Sequence, residues 1–174
     1  MTAIMQSRSK RPAAFTLMEL LIVVVLIGIA AAIVIPMTTQ AAPLRLQALA
    51  RQIVADIMQV QSDSITLQRS HAITFSTSGY VMAPVTGTTI ETGADVVERR
   101  SIGGTANQEY ANVTVTAITF PGNILVFDAL GCPVQAAGSD QPAGDAYIEV
   151  ASGGEKYRIW VRAFTGGVEV KLQP

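Results

Sequence analysis

The sequence predicts an α+β protein: a long N-terminal helix, transmembrane and then amphipathic, packed on a C-terminal antiparallel β-sheet domain. Three observations carry this. From Leu20 to Met37 there are 18 residues without a charge, about enough to cross the hydrocarbon of a bilayer as a helix. From Leu46 onward the apolar residues recur at steps of three, four and seven, a one-sided helical stripe. Beyond His71 the pattern switches to period two, punctuated by turn chemistry.

The elements follow in order. Residues 1–14 hold three bases (Arg8, Lys10, Arg11) and no acid, a short basic leader that the positive-inside rule leaves on the cytoplasmic side. Residues 15–37 form the transmembrane part, in which Gly28, Ala30, Ala31 and Ala32 offer a small-residue surface for close helix packing. Pro36 removes a helical hydrogen bond near its end. Residues 38–70 form the amphipathic half. Its stripe is Leu46, Leu49, Ile53, Ile57, Val60 and Leu67, while Arg45, Arg51, Gln52, Asp56, Gln59, Gln61 and Asp63 fall largely off it. Read as one helix from Phe15 to about Gln68, this spine is on the order of 80 Å long.

Residues 71–174 make the β domain. Strands are expected at 72–76, 79–85, 96–100, 113–120, 124–127, 146–151, 157–163 and 168–172, separated by clusters such as Ser76-Thr-Ser-Gly79, Ser152-Gly-Gly-Glu155 and Thr165-Gly-Gly167. In the seventh, Tyr157, Ile159 and Val161 share one face; Arg158, Trp160 and Arg162 share the other. The segment 136–144, rich in Gly, Ala, Asp and Pro, reads as an exposed loop.

Composition narrows the function classes. Hydrophobic residues make up 49% of the 174 and charged residues 14%, with the apolar surplus concentrated before Met37. After the leader, nine bases face thirteen acids, a net charge of −4. Such a domain is a poor non-specific binder of nucleic acid, because phosphate contacts need Lys and Arg. The lone Cys132 cannot close an intramolecular disulfide and reads as a small packed residue near a turn; the lone His71 reads as a surface or strand-start residue. No metal-ligand spacing, phosphate loop or nucleophile–base arrangement stands out, so no metal, cofactor or catalysis is expected. The acidic neighbourhoods Glu91, Asp95, Glu98 and 140–145 are the places a calcium ion would use.

The residue that needs explaining is Glu19, at the edge of the uncharged run. A carboxylate there is costly in lipid without a partner. A Sec-type signal peptide fits the basic leader and the small residues of Gln40-Ala-Ala-Pro43, with a mature end near Ala42 or Pro43. Its apolar core, however, is too long and contains Glu19. A plain anchor explains orientation and leaves Glu19 without a use.

The third reading rests on Ala14-Phe-Thr-Leu-Met-Glu-Leu-Leu21. This run resembles the class III signal of type IV prepilins and type II secretion pseudopilins: a basic leader, a small residue, Phe, then Glu four residues on. Pro36 falls where this family often carries a proline. The family's usual Gly before the cut is Ala14 here. The resemblance implies that a prepilin peptidase and methyltransferase cuts between Ala14 and Phe15 and N-methylates Phe15. It implies that the helix rests in the bacterial inner membrane as a single pass, with the C-terminal domain periplasmic. Later the helix enters the core of a pilus or pseudopilus, where Glu19 pairs with the Phe15 ammonium of a neighbouring subunit. The implied partners are other pilins or pseudopilins, the inner-membrane assembly platform and membrane lipid.

The order of parts is similar to that of the GspH/FimT group of minor pilins and pseudopilins. The segments that carry this are 50–57, 70–75, Ile118-Thr-Phe-Pro-Gly122, Val126-Phe-Asp-Ala-Leu-Gly-Cys-Pro133 and 159–170. DNA-binding members of that group carry a basic Gly-Arg motif near the C-terminus. The matching place here is Gly166-Gly-Val-Glu169, where Gly and Glu stand in place of bases. That departure speaks against DNA uptake. Arg158, Trp160 and Arg162 read either as a weak stacking-plus-charge patch for DNA or a partner or as a solvated strand face with one large packed ring. The expected role is that of a structural subunit at the tip or in initiation. A DNA-binding minor pilin and a Sec-secreted periplasmic β protein are the alternatives.

Overall fold

The computed structural model describes residues 15–39, 41–93, 98–102, 110 and 112–173. The leader, with Ala14, lies outside them. The chain divides into two units, Met1–Thr39 and Gln40–Pro174, and each is taken by itself.

In the first unit, α1 spans Leu17–Thr39 and includes Pro36. Its side chains are described as far as Ala31, and all of them from Leu17 to Ala31 are exposed. The helix is apolar on every side, the pattern of a helix that needs a non-aqueous surround. Among the described residues no helix is long and apolar enough to cross a membrane. The uncharged run on which the membrane-crossing expectation rests continues past Ala31 to Met37.

The second unit opens with α2, Ala41–Thr66. Leu46, Leu49, Ala50, Ile53, Ile57 and Val60 are each at most 3% exposed, as the stripe predicts. Leu67 departs from the prediction: it is 63% exposed. The helix ends at Thr66, and Gln68 takes a positive φ of 50° that swings the chain toward the first strand. Ser64 takes the buried place one turn after Val60, its hydroxyl donating to the Val60 carbonyl at 2.9 Å.

Ten strands are described: β1 His71–Ser76, β2 Gly79–Thr86, β3 Thr89–Ile90, β4 Glu98–Ser101, β5 Thr114–Ile118, β6 Ile124–Phe127, β7 Pro133–Val134, β8 Ala146–Ser152, β9 Glu155–Val161 and β10 Val168–Gln173. They form two sheets. The first runs β3-β2-β1-β6-β7, with β4 also on β2; the second runs β10-β9-β8-β5. Every pair among them is antiparallel. The expected strands are recovered with shifts of a few residues; β3 and β7 are additions, because two residues carry no period to detect. Segment 136–144 has no regular element, and its ends are tied by the Val134–Pro142 bridge.

One core joins α2 to both sheets. It contains Ile73, Phe75, Tyr80, Met82, Leu125 and Phe127 from the first, and Ile148, Val150, Ile159 and Val161 from the second. The stripe on α2 is the common partner. A second cluster of Ala72, Val85, Val126 and Val134 covers part of the first sheet's other face. His71 starts β1, as expected, but is 3% exposed and not a surface residue; its Nδ1 meets the Arg69 carbonyl and lies near the Ser64 hydroxyl.

Two polar anchors hold α2 in register. Asp56, 3% exposed, accepts from the Tyr80 hydroxyl at 2.5 Å, the Arg100 Nε at 3.2 Å and the Gln52 amide at 3.3 Å. Burial, and then the hydrogen bond to Asp56, push the Tyr80 phenol well above its ordinary pKa. Further along, the Gln61 amide donates to Gly131 O at 2.8 Å and to Thr165 O at 2.9 Å. It fastens two loops to one side of the helix. Gly166, at φ 67°, lies so close that a Cβ there would meet Gln61 Nε2 at 2.5 Å and Phe127 Cε1 at 2.9 Å.

Asp56→Ala leaves the buried Tyr80 hydroxyl and the Arg100 Nε without their acceptor, while Arg100 keeps Glu98. It is expected to cost about 2–4 kcal/mol, against about 1–2 kcal/mol for Tyr80→Phe. Urea unfolding of the Gln40–Pro174 unit, which contains the whole core, measures both.

Candidate functional site

The start of α1 is built from Phe15, Thr16 and Glu19. Phe15, 78% exposed, precedes Thr16, which caps the helix. The Glu19 amide donates to the Thr16 carbonyl at 3.1 Å and to its hydroxyl at 3.2 Å. Glu19 is thus the third residue of the helix, and Thr16-Leu-Met-Glu19 has the spacing of a capping box. A carboxylate in the first turn also complements the positive end of the helix dipole. Among the described residues, no hydrogen bond or ion pair reaches the Glu19 carboxylate, and its oxygens remain free to accept. Thr16 was missed by the sequence reading, although the T-x-x-E spacing was there to be read.

The second candidate site is the outer face of the second sheet. Arg158, Trp160 and Arg162 do share that face, and Tyr147 of β8 joins them. The Tyr147 and Trp160 rings lie 4.6 Å apart, Arg158 sits 4.4 Å above Tyr147, and Arg162 lies 5.7 Å from Trp160. The pairing of strands also brings carboxylates to this face, which the sequence reading did not foresee. Glu149 lies opposite Arg158 and accepts from it at 2.7 and 3.1 Å, and from Thr116 at 2.8 Å. Arg162 is held between Asp145, at 2.8 Å, and Glu169, at 2.5 Å. Lys171 reaches Glu169 at 3.1 Å.

The guanidiniums are therefore already paired. Hydrogen bonds from Arg158 and then Thr116 hold Glu149 below its ordinary pKa. Asp145 is lowered by the Ala163 amide and then Arg162; Glu169 is lowered by Arg162 and then Lys171. A phosphate approaching Arg158 or Arg162 meets a carboxylate already in place. At the expected Gly-Arg position, Gly166 serves close packing and Glu169 serves the ion pair.

The sequence also singled out His71, Cys132 and the acidic neighbourhoods. Ser64 Oγ lies 3.4 Å from His71 Nδ1, but that nitrogen is 2.9 Å from the Arg69 carbonyl. A carbonyl only accepts, so Nδ1 carries the hydrogen and cannot take one from serine. Cys132 is partly buried in a turn whose Asp128 carboxylate accepts from the Leu130 and Cys132 amides at 2.9 and 2.8 Å. Among the described residues no cluster of three or more His, Cys, Asp or Glu could hold a metal ion. Glu91 pairs with Arg69 and Glu98 with Arg100; Asp95 lies outside the described residues.

Known proteins add two findings. The family described as "Prokaryotic N-terminal methylation motif" matches residues 9–35, which span Ala14, Phe15, Thr16 and Glu19. The folded part is similar to the Pseudomonas aeruginosa type IV minor pilin FimU in two crystal forms. One is 16% identical, covering 74% of this chain and 88% of that chain, at a TM-score of 0.52. The other is 14% identical, covering 74% and 93%, at 0.50. The N-terminus thus carries a methylation motif, and the fold, a helix with an antiparallel β domain, is similar to that of the minor pilin. No curated protein matches it at a significant level.

The Glu149–Arg158 pair gives this pilin-like fold an acid sensitivity of definite sign. Because the folded pKa of Glu149 is depressed, its contribution is complete above the unfolded value of about 4.3 and is lost as pH falls through the lower folded value. Arg158→Met is expected to cost about 1–3 kcal/mol at neutral pH. That difference should shrink as Glu149 protonates, and Tm measured from neutral pH into acid reads it.

Proposed function

We propose that this chain is a minor pilin or pseudopilin, a structural and non-catalytic subunit acting at the tip or in initiation of a type IV pilus or type II secretion pseudopilus. A prepilin peptidase cuts it between Ala14 and Phe15 and methylates the new amine. The helix from Phe15 to Met37 holds it in the bacterial inner membrane as a single pass, with the β domain periplasmic, until an assembly platform inserts it among other pilins.

The observation that carries this reading is the placing of Glu19. It stands one turn into α1, beside Phe15, with its amide satisfied by Thr16 and no described partner for its carboxylate. A buried carboxylate and a buried ammonium are each unfavourable alone and tolerable together. Cleavage creates the ammonium at Phe15. A neighbour whose Phe15 amine reaches Glu19 satisfies both charges, and a slip along the filament axis leaves both bare. The pair thus sets register as well as affinity. Pro36, at the end of the apolar run, lets the helix adjust locally as it enters the filament core.

Intact-mass analysis of the mature protein is expected to show loss of residues 1–14 and gain of one methyl group. A mature end near Ala42 or Pro43 would instead identify a Sec-secreted protein. Glu19→Ala is expected to be cut like the wild type and to be lost from sheared filaments by about tenfold or more; normal incorporation would sink the pairing. Ala14→Gly should speed processing. In gel-shift titrations at two salt concentrations the Gln40–Pro174 unit is expected to retain no duplex DNA. Salt-sensitive retention lost in Arg158→Ala and Arg162→Ala would mark a DNA-binding pilin instead.

A further inference from the structure

Strand β10 ends the second sheet, and no described strand pairs with its outer edge. Its phase is fixed by its partner. The Arg162 amide donates to the Gly167 carbonyl at 2.9 Å, and Val168 lies opposite Val161 in the same register. Hydrogen-bonded and non-bonded pairs alternate along an antiparallel ladder. Residues 167, 169 and 171 therefore turn their amides and carbonyls toward β9, and Val168, Val170 and Leu172 turn theirs outward.

The side chains of this edge are unusual in two ways. Val170 lies opposite the fully buried Ile159 and Leu172 opposite Tyr157, so both stand on the core-facing side of the sheet. Yet Val170 is 41% exposed and Leu172 56% exposed. Glu169 and Lys171, which flank Val170, stand on the other side. The run Val168-Glu-Val-Lys-Leu172 reads apolar, acidic, apolar, basic, apolar. Reversed, the apolar positions superpose and the two charges exchange sign.

We propose that β10 is a self-complementary edge at which a second copy of this chain adds, antiparallel, about a two-fold axis through Val170. Val170 then faces Val170 of the second copy, Val168 faces Leu172, and Glu169 faces Lys171. The outward amides and carbonyls of Val168, Val170 and Leu172 fall on hydrogen-bonded positions, giving about six inter-strand hydrogen bonds. The exposed Val170 and Leu172 side chains gain apolar cross-strand neighbours, and opposite charges meet on the outer face. A lysine on an edge strand ordinarily repels strand addition. Here each lysine meets a glutamate from the other copy, so the edge refuses strands of other charge pattern and accepts its own. The contact is isologous and closed, limited to two copies. It goes beyond the pilin reading and does not rest on it.

Disulfide trapping tests this in the full chain in membranes, with Cys132→Ser as background. Directly opposed residues of an antiparallel hydrogen-bonded pair have Cα atoms about 5.5 Å apart, within disulfide reach. Val170→Cys is expected to give at least about fivefold more cross-linked homodimer than Thr89→Cys, placed on the exposed edge strand β3 of the other sheet. Adding Glu169→Lys or Lys171→Glu alone sets like charges opposite and should remove the excess. Mixing those two chains should restore it as a heterodimer, because each lysine again faces a glutamate. Both exchanges in one chain should restore the homodimer, which a purely intrachain role for Glu169 with Arg162 does not predict. No excess at position 170, no recovery in the mixture, or a cross-link to a different protein would each overturn the proposal.

Discussion

One apolar stripe on α2 has to satisfy two separate sheets, and the rest of the folded domain is arranged around that demand. Leu46, Leu49, Ile53, Ile57 and Val60 are all but fully buried. Each contributes about 1.5–3 kcal/mol of transfer free energy before chain entropy is counted. Residues of the first sheet such as Ile73 and Leu125, and of the second such as Ile148 and Ile159, meet in the same core. Neither sheet is closed without the helix. The strands could not be rearranged freely either, since a slip of one residue would turn Ile159 outward and Trp160 inward.

An apolar stripe alone leaves a helix free to slide or roll, and buried polar groups remove that freedom. Asp56 meets Tyr80 and Arg100 from the first sheet. Gln61 meets the carbonyls of Gly131 and Thr165 on two separate loops. The loops approach closely enough that Gly166 has no room for a side chain. This explains a glycine that, read as part of a nucleic-acid motif, would have pointed elsewhere. The same economy is seen on the outer face of the second sheet, where Arg158 and Arg162 spend their donors on Glu149, Asp145 and Glu169.

Helix α1 poses the opposite problem. Its described side chains, Glu19 apart, are apolar around the whole circumference, and all are exposed. What it offers instead is a well-formed start: a threonine cap, an exposed phenylalanine before it, and a carboxylate one turn in. A helix start needs an acidic residue only modestly, and a lipid-facing one pays heavily for it. Under the proposed function, that partner is the Phe15 amine that cleavage would free on a neighbouring subunit.

Much of this was legible along the chain. The motif around Phe15 and Glu19, the stripe on α2 and most strands are local patterns, in which the spacing of neighbouring residues is the whole signal. Leu67 was misplaced because the stripe does not announce where the helix stops. What only the tertiary structure decided lies between residues distant in sequence. Two sheets form where one was expected, β3 and β7 are too short to show a period, and His71 is covered. The bases of the proposed patch at Arg158 and Arg162 prove to be matched by carboxylates on β8, on β10 and in the loop before β8. Periodicity assigns a side chain to a face. Strand order and register decide which charge stands opposite it, and no pattern within one strand encodes that.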